Sequence, residues 1–341
     1  MDPSVTPPEV TPPKITPRRP RPGPPPPFIT PRPALFATMP PAVFPVVLGL
    51  MGLALALKRV MQVGGLPPAL ADTLLGLAAG LWLFCAVAYG TKIARRPGVL
   101  AEDLRILPGR TGLAAGGVGG LALAAILGFF HAGLASVVLV LALGLHLALA
   151  VLTVRALMVG PVEAREVTPA WHLSFVGFIV GALAAVPLGW VGLATGILGV
   201  TLLLACGIWA TSLWQLWRRV PPAPLRPLLA IHLAPASLFA SVAGLLGYEA
   251  LAHGMVLLGL CIGVALLLAG RWILEAGFSP LWGAMTFPLA AYASALVING
   301  WVMPGVLVTV IALGVNPAIA ARVLRMWPGG RLAARTNAAT A

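Results

Sequence analysis

Ten apolar stretches run through this chain, each long enough to cross a bilayer. A helical crossing takes roughly 20 mostly apolar residues, because the hydrocarbon core is about 30 Å thick. The stretches lie near residues 41–57, 68–91, 111–130, 133–154, 169–188, 190–213, 228–247, 252–270, 280–299 and 301–323. Backbone polar groups surrounded by lipid must bond within their own segment, so these stretches predict helices. We expect an all-α integral membrane protein of about ten spans, with eight or nine spans as the alternative.

The composition excludes a soluble domain. Hydrophobic residues make up 59% of the chain and charged residues 9%, and the mean hydropathy is +0.97. The formal net charge of +13 does not indicate a nucleic-acid partner, because Lys and Arg also collect in the cytoplasmic loops of membrane proteins. We therefore expect membrane lipids, and no nucleic acid, around this protein.

The basic residues predict the orientation. With ten spans, all 22 Lys and Arg residues except Lys58 and Arg59 fall on the same side as the N-terminus. That side is the cytoplasmic one by the positive-inside rule, so both termini are expected in the cytoplasm. Connections on the other side are very short, which predicts five helical hairpins. A multi-pass protein of a bacterial inner membrane fits this pattern.

The ends of the chain differ from the apolar middle. Residues 1–33 are rich in proline and predict a disordered cytoplasmic tail. Residues 34–323 hold the spans and predict one transmembrane domain, and residues 324–341 predict a second cytoplasmic tail.

Prolines recur in or at the start of the odd-numbered spans. They are Pro45, Pro108, Pro169, Pro235 and Pro288, separated by 53 to 66 residues. This spacing indicates an internal repeat in which five inner helices are ringed by five outer ones. A proline inside a helix removes a backbone hydrogen bond, and lipid tolerates the freed groups only where they face protein or water. Bent inner helices, at Pro45, Pro235 and Pro288 above all, predict a polar path without charged side chains.

Charged groups are missing from the middle of the predicted spans. All nine Asp and Glu residues fall in tails, loops or span ends. Coupled transporters commonly keep buried carboxylates as ion relays, so their absence favours passive permeation and also argues against an enzyme. Exposed N–H groups and helix N-terminal ends along such a path would favour anions.

A few polar side chains remain within the spans. Thr286, Ser237, Ser241 and Ser294 are candidates to line the path. His146 and His232 are candidate proton relays or haem ligands, although packing histidines are the plainer interpretation. The three cysteines lack the spacing of a metal site, so we expect neither metal nor cofactor.

Phe287 directly precedes Pro288 in the stretch "MTFPLAAYAS" of the ninth span. Next to a kink, its ring would project where the path is narrowest. The alternative is an ordinary packing or lipid-facing phenylalanine.

Three short stretches resemble one known family. They are "FPVVLGLMGLALAL" from Phe44, "HLAPASLFAS" from His232 and "TFPLAAYASA" from Thr286, in the first, seventh and ninth spans. They resemble the tellurite-resistance/C4-dicarboxylate transporter family, related to the plant slow anion channels, over about residues 41–323. The resemblance implies ten helices as five hairpins with quasi-fivefold symmetry around a pore, a gate at Phe287, and a homotrimer. In the first span two residues, Val46 and Val47, separate Pro45 from Leu48, whereas the family's proline directly precedes this element.

Three functions follow as hypotheses. The first is an anion channel or channel-like transporter for small anions, dicarboxylates or tellurite-related oxyanions, gated by Phe287. The second is a proton-coupled dicarboxylate or tellurite exporter with His232 or His146 as the relay. The third is a non-transporting membrane assembly or haem protein.

Overall fold

A computed structural model describes residues 34–341, so the predicted tail at 1–33 lies outside the described residues. The described part is helical and contains no strand. Its ten spans, numbered along the chain, are Pro41–Val63, Ala69–Arg95, Leu107–Leu127, Ala132–Val159, His172–Ala185, Val191–Arg218, Ala223–Leu245, Glu249–Leu268, Pro280–Ile298 and Val302–Leu324. Nine of these are long and apolar enough to cross a membrane, and His172–Ala185 is a shorter apolar helix. This confirms the expected all-α membrane protein.

Short helices occupy several connections. Gly98–Arg105 lies between the second and third spans, Gly270–Ile273 follows the eighth, and Arg331–Arg335 follows the tenth. A 3₁₀ turn at Val162–Arg165 lies between the fourth and fifth. The odd spans all begin, and the even spans all end, at one end of the bundle, which we call the basic end because it carries most Lys and Arg.

The odd spans form a closed inner ring. The first contacts the third, the third the fifth, the fifth the seventh, the seventh the ninth, and the ninth returns to the first. Each odd span also packs against the even span that follows it, which makes five hairpins. In the four long inner spans 67–89% of residues are buried, against 17–33% in the five outer spans. The outer spans therefore shield the inner ring from lipid.

The lipid-facing surface is made by the outer spans. Large apolar side chains are exposed on them, among them Leu203, Leu267, Leu268 and Met303. So much exposed apolar surface is unfavourable in water but favourable against the hydrocarbon core of a bilayer. The chain is thus a multi-pass membrane protein.

Most inner spans are broken helices. The first, seventh and ninth begin as 3₁₀ helices, at Pro41–Val43, Ala223–His232 and Pro280–Met285, and then continue as α-helices. The fifth begins as a π-helical turn at His172–Val176. Only the third is α-helical throughout its length, Leu107–Leu127.

The prolines lie at these junctions. Pro45, Pro235 and Pro288 are the second or third residues of the α-helical parts that begin at Phe44, Leu233 and Thr286. A first-turn proline loses no α-helical hydrogen bond, so it marks the place where the 3₁₀ segment ends rather than bending a continuous α-helix. Prolines are not confined to the inner ring, because Pro317 lies inside the tenth span.

Candidate functional site

Three small cavities follow one another inside the inner ring. Residues of the third span show their order: Pro108 and Thr111 line the first cavity, Ala115 lines the middle one and Val118 lines the far one. The cavity nearest the basic end has a volume of about 30 Å³, and the middle and far cavities have about 20 Å³ each. A water molecule needs roughly 10–15 Å³ of such space, so each cavity has room for only one or two waters. The axis is therefore closed to a hydrated ion in this conformation.

All five inner spans line the middle cavity. Its walls are Pro45 and Leu48, Ala115, Leu173, Ile231 and Ala234, and Gly283, Ala284, Phe287 and Pro288. None of these side chains is charged. The α-helical parts of the first, seventh and ninth spans begin at Phe44, Leu233 and Thr286, so three of them start beside this cavity. Each of these α-helical parts continues directly from a 3₁₀ segment, so the junctions are changes of helix type within one continuous helix and not free helix ends.

Phe287 lines both the middle and the far cavity, and its side chain is 7% exposed. Its ring packs against the first span at Gly52, where a Cβ atom would come within 2.9 Å of the ring carbon Cδ2. A glycine at position 52 is therefore needed for the ring to occupy its place on the axis. The structure puts Phe287 where the sequence places the gate, and gating itself stays a prediction.

The backbone on either side of Phe287 is fixed by neighbouring spans. Thr286 Oγ1 donates to the carbonyl of Gly283 at 2.8 Å and lies 3.3 Å from that of Pro45. Asn316 Nδ2, from the tenth span, donates to the carbonyls of Thr286 at 2.9 Å and Gly49 at 3.1 Å. Thr286 is thus fully buried between spans and lines none of the three cavities.

Glycines in the first span permit this contact. A Cβ atom at Gly49 would lie 2.0 Å from Thr286 Oγ1, which no real side chain tolerates. Gly49 and Gly52 are three residues apart and so share one helix face. The sequence analysis missed both, although this small-residue spacing in "LGLMGL" is a signal for close helix contact.

The predicted serines do not line the described cavities. Ser237 Oγ donates to the carbonyl of Leu233 at 2.7 Å, and Ser241 Oγ donates to that of Ser237 at 2.9 Å. Ser294 is buried farther along the ninth span. The hydroxyls of Ser237 and Ser241 satisfy their own helix, which leaves the axial path apolar in this conformation.

The histidines form a different arrangement from the expected one. His232 lies beside His172, with His232 Nδ1 3.0 Å from His172 Nε2, so one ring donates and the other accepts. His172 lines the far cavity. His146 packs instead against Phe178, with ring centroids 4.5 Å apart. The sequence treated His232 as a single residue, because its partner is 60 positions away.

The last residues of the chain reach the first cavity. Thr336 lines it together with all five inner spans. Ala339 N–H donates to Asp103 Oδ1 at 2.8 Å, and Ala341 N–H donates to the carbonyl of Ala37 at 3.0 Å. The predicted tail 324–341 thus packs against the basic end, beside the mouth of the axial path.

A buried ion pair holds this region together. Lys92 Nζ donates to Asp103 Oδ2 at 2.8 Å and to the carbonyl of Met39 at 2.9 Å, and Tyr89 donates to the same carboxylate at 2.9 Å. Both charged side chains are fully buried. On the surface nearby, a hydrogen bond from Arg96 holds the pKa of Glu102 below its usual range.

A closed ring of five inner helices, four of them broken, is shielded by five lipid-facing helices around an uncharged axis. This arrangement defines a membrane protein of the channel and transporter class. A family model described as SLAC1, voltage-dependent anion channel, matches residues 38–327. The chain belongs to this family, which confirms the resemblance and supports an anion channel or transporter function rather than an enzyme. No curated protein matches the chain.

Proposed function

We propose that this protein is an anion channel or channel-like transporter whose path runs along the axis of the inner ring, with Phe287 as the gate. The observation that carries the proposal is the middle cavity: all five inner spans line it and no charged group does. Small anions, dicarboxylates and tellurite-related oxyanions are the proposed substrates. Pore width and backbone geometry would select among them.

The gate would act by occupying the axis. With Phe287 in place, none of the three axial cavities exceeds about 30 Å³, which is too little for a hydrated ion. Removing the ring would join the middle and far cavities, because Phe287 lines both. The conducting state would therefore need the ring to rotate or the inner helices to separate.

Anion flux through proteoliposomes tests this proposal. We expect wild-type protein to be nearly silent and Phe287→Ala to conduct chloride and nitrate. If the ring contributes about 1.4 kcal/mol or more to the barrier, the rate rises at least about tenfold. Phe239→Ala is the matched control, because Phe239 is a fully buried phenylalanine of the inner ring that lines none of the three cavities. Equal flux in both variants would reject Phe287 as the gate.

A proton-coupled exporter is the second candidate, and the histidine pair favours it. His172 and His232 share a hydrogen bond at 3.0 Å, and His172 borders the far cavity. Such a pair could pass a proton alongside an anion. If a pH gradient drives uptake in wild-type protein and His232→Gln abolishes that dependence, the carrier replaces the channel.

The remaining assignments are also proposals. We infer that the basic end faces the cytoplasm of a bacterium, that both tails lie there, and that the protein assembles as a homotrimer in the inner membrane. The distribution of Lys and Arg supports the orientation, and the family supports the assembly.

A further inference from the structure

A larger pocket lies away from the axis, at the basic end between the fifth, sixth and seventh spans. Its volume is about 300 Å³, within the range of small-molecule and lipid sites. One wall is the last two turns of the sixth span, where Ser212, Gln215 and Leu216 share one helix face, and Arg219 follows directly after the helix in extended conformation. The other walls are the connections that lead into the fifth and seventh spans.

The lining is apolar with a few polar groups. Leu225, Leu228 and Leu229 are among its apolar residues. Thr168 and Ser212 also line the pocket, and the hydroxyl oxygen of each is buried without a hydrogen-bond partner in the described residues. Buried hydroxyls are rarely left unpaired, so these two atoms point to an occupant that accepts hydrogen bonds.

The mouth of the pocket carries a positive excess. Arg219 lines the pocket and pairs with Glu166, which lines it too. Arg218 is adjacent, stacked on the Trp214 ring with its guanidinium carbon 5.1 Å from the ring centroid. Two arginines against one glutamate favour an anionic group at this mouth.

The pocket adjoins the lipid-facing surface. Leu216 belongs both to this pocket and to an exposed groove that Leu213, Trp214 and Trp217 complete. Tryptophan rings prefer the level of the lipid headgroups, which places the mouth of the pocket at that level. An occupant can therefore keep an acyl chain in the bilayer while its polar end lies among the hydroxyls and arginines.

We propose that this pocket binds the headgroup of one anionic phospholipid from the leaflet at the basic end. The phosphate accepts hydrogen bonds from Thr168, Ser212 and Arg219, and an acyl chain lies along Leu216 and Trp217. Leu228 lines both this pocket and the first axial cavity, so the lipid lies directly behind the wall of the path. The site does not depend on the proposed gate.

Native mass spectrometry of protein extracted from vesicles tests the site. The vesicles contain equal parts of phosphatidylcholine and phosphatidylglycerol, and the readout is the number of each lipid retained per chain. We expect one phosphatidylglycerol on wild-type protein. Ser212→Leu fills the pocket and Arg219→Gln removes a charge-assisted hydrogen bond, so each should lower retention about tenfold.

Two control variants keep the test specific. Thr211→Leu changes the adjacent hydroxyl, which bonds to the carbonyl of Gly207, and Arg271→Gln removes an exposed arginine elsewhere. Both should retain the lipid as wild type does. Equal retention of phosphatidylcholine, or full retention by Ser212→Leu, would overturn the proposal. Displacement of the lipid by inorganic phosphate added during extraction would assign the site to a free anion and would overturn it as well.

Discussion

At Gly49, the lack of a side chain decides how closely the ninth span approaches the first. A Cβ atom there would lie 2.0 Å from Thr286 Oγ1. Overpacking a tight contact costs about 1–3 kcal/mol, so we expect Gly49→Ala to lower the thermal unfolding temperature of the detergent-solubilised protein. Gly76→Ala is the control, because a Cβ atom at that position would have no neighbouring atom within 4 Å. Equal unfolding temperatures for the two variants would contradict the packing described.

Individual residues were only partly predictable. Phe287 could be singled out as a candidate because it stands beside Pro288 in a stretch that resembles a family motif, and its role as the gate stays a prediction. His172, the partner of His232, could not be predicted, because a contact between positions 172 and 232 depends on how the fifth and seventh spans pack. Thr286 and Ser237 were expected to line the path, but a hydroxyl that can bond to a nearby carbonyl does so when no water is present.

At the scale of elements, the Lys92–Asp103 pair joins the second span to the short helix Gly98–Arg105 and to the end of the chain. Removing one partner leaves a buried unpaired charge, at a cost of about 3–5 kcal/mol. We expect Lys92→Met to unfold at a clearly lower temperature, and addition of Asp103→Leu to recover much of the loss. A single variant as stable as wild type would show that the pair is solvated.

The segment after the tenth span covers one end of the path. Thr336 lines the first cavity, so ending the chain after Gly330 should widen that cavity. We expect this truncation to raise chloride flux further when combined with Phe287→Ala, because the gate no longer limits the rate. Thr336→Ser, which keeps the segment and its hydroxyl, is the control. Flux unchanged by the truncation would place the limiting barrier elsewhere.

The positions of most spans could be predicted from the hydrophobicity of the sequence. The predicted stretch 190–213 corresponds to Val191–Arg218, and 301–323 to Val302–Leu324, because turns and charges mark where a span leaves the bilayer. The division of inner spans into 3₁₀, π and α parts was not visible. A proline is compatible with a first turn or with a bend, and only the packed neighbours decide between them.

At the scale of the whole molecule, the charged side chains lie away from the three axial cavities. The chain carries 22 Lys and Arg against 9 Asp and Glu, yet no charged side chain lines the three axial cavities among the described residues. We therefore expect the basic surface at the basic end, rather than a charged group on the axis, to favour the entry of anions. The alternation of inner and outer spans could be predicted from the recurring prolines, whereas the order of contacts that closes the ring could not.

The reversal potential of Phe287→Ala in a planar bilayer tests the central claim most directly. Under a potassium chloride gradient, we expect a current that reverses close to the chloride equilibrium potential, because no carboxylate lines the three axial cavities and the chain belongs to a family of anion channels. A current that reverses at the potassium equilibrium potential, or no current beyond that of the bilayer alone, would contradict an anion path along the inner ring.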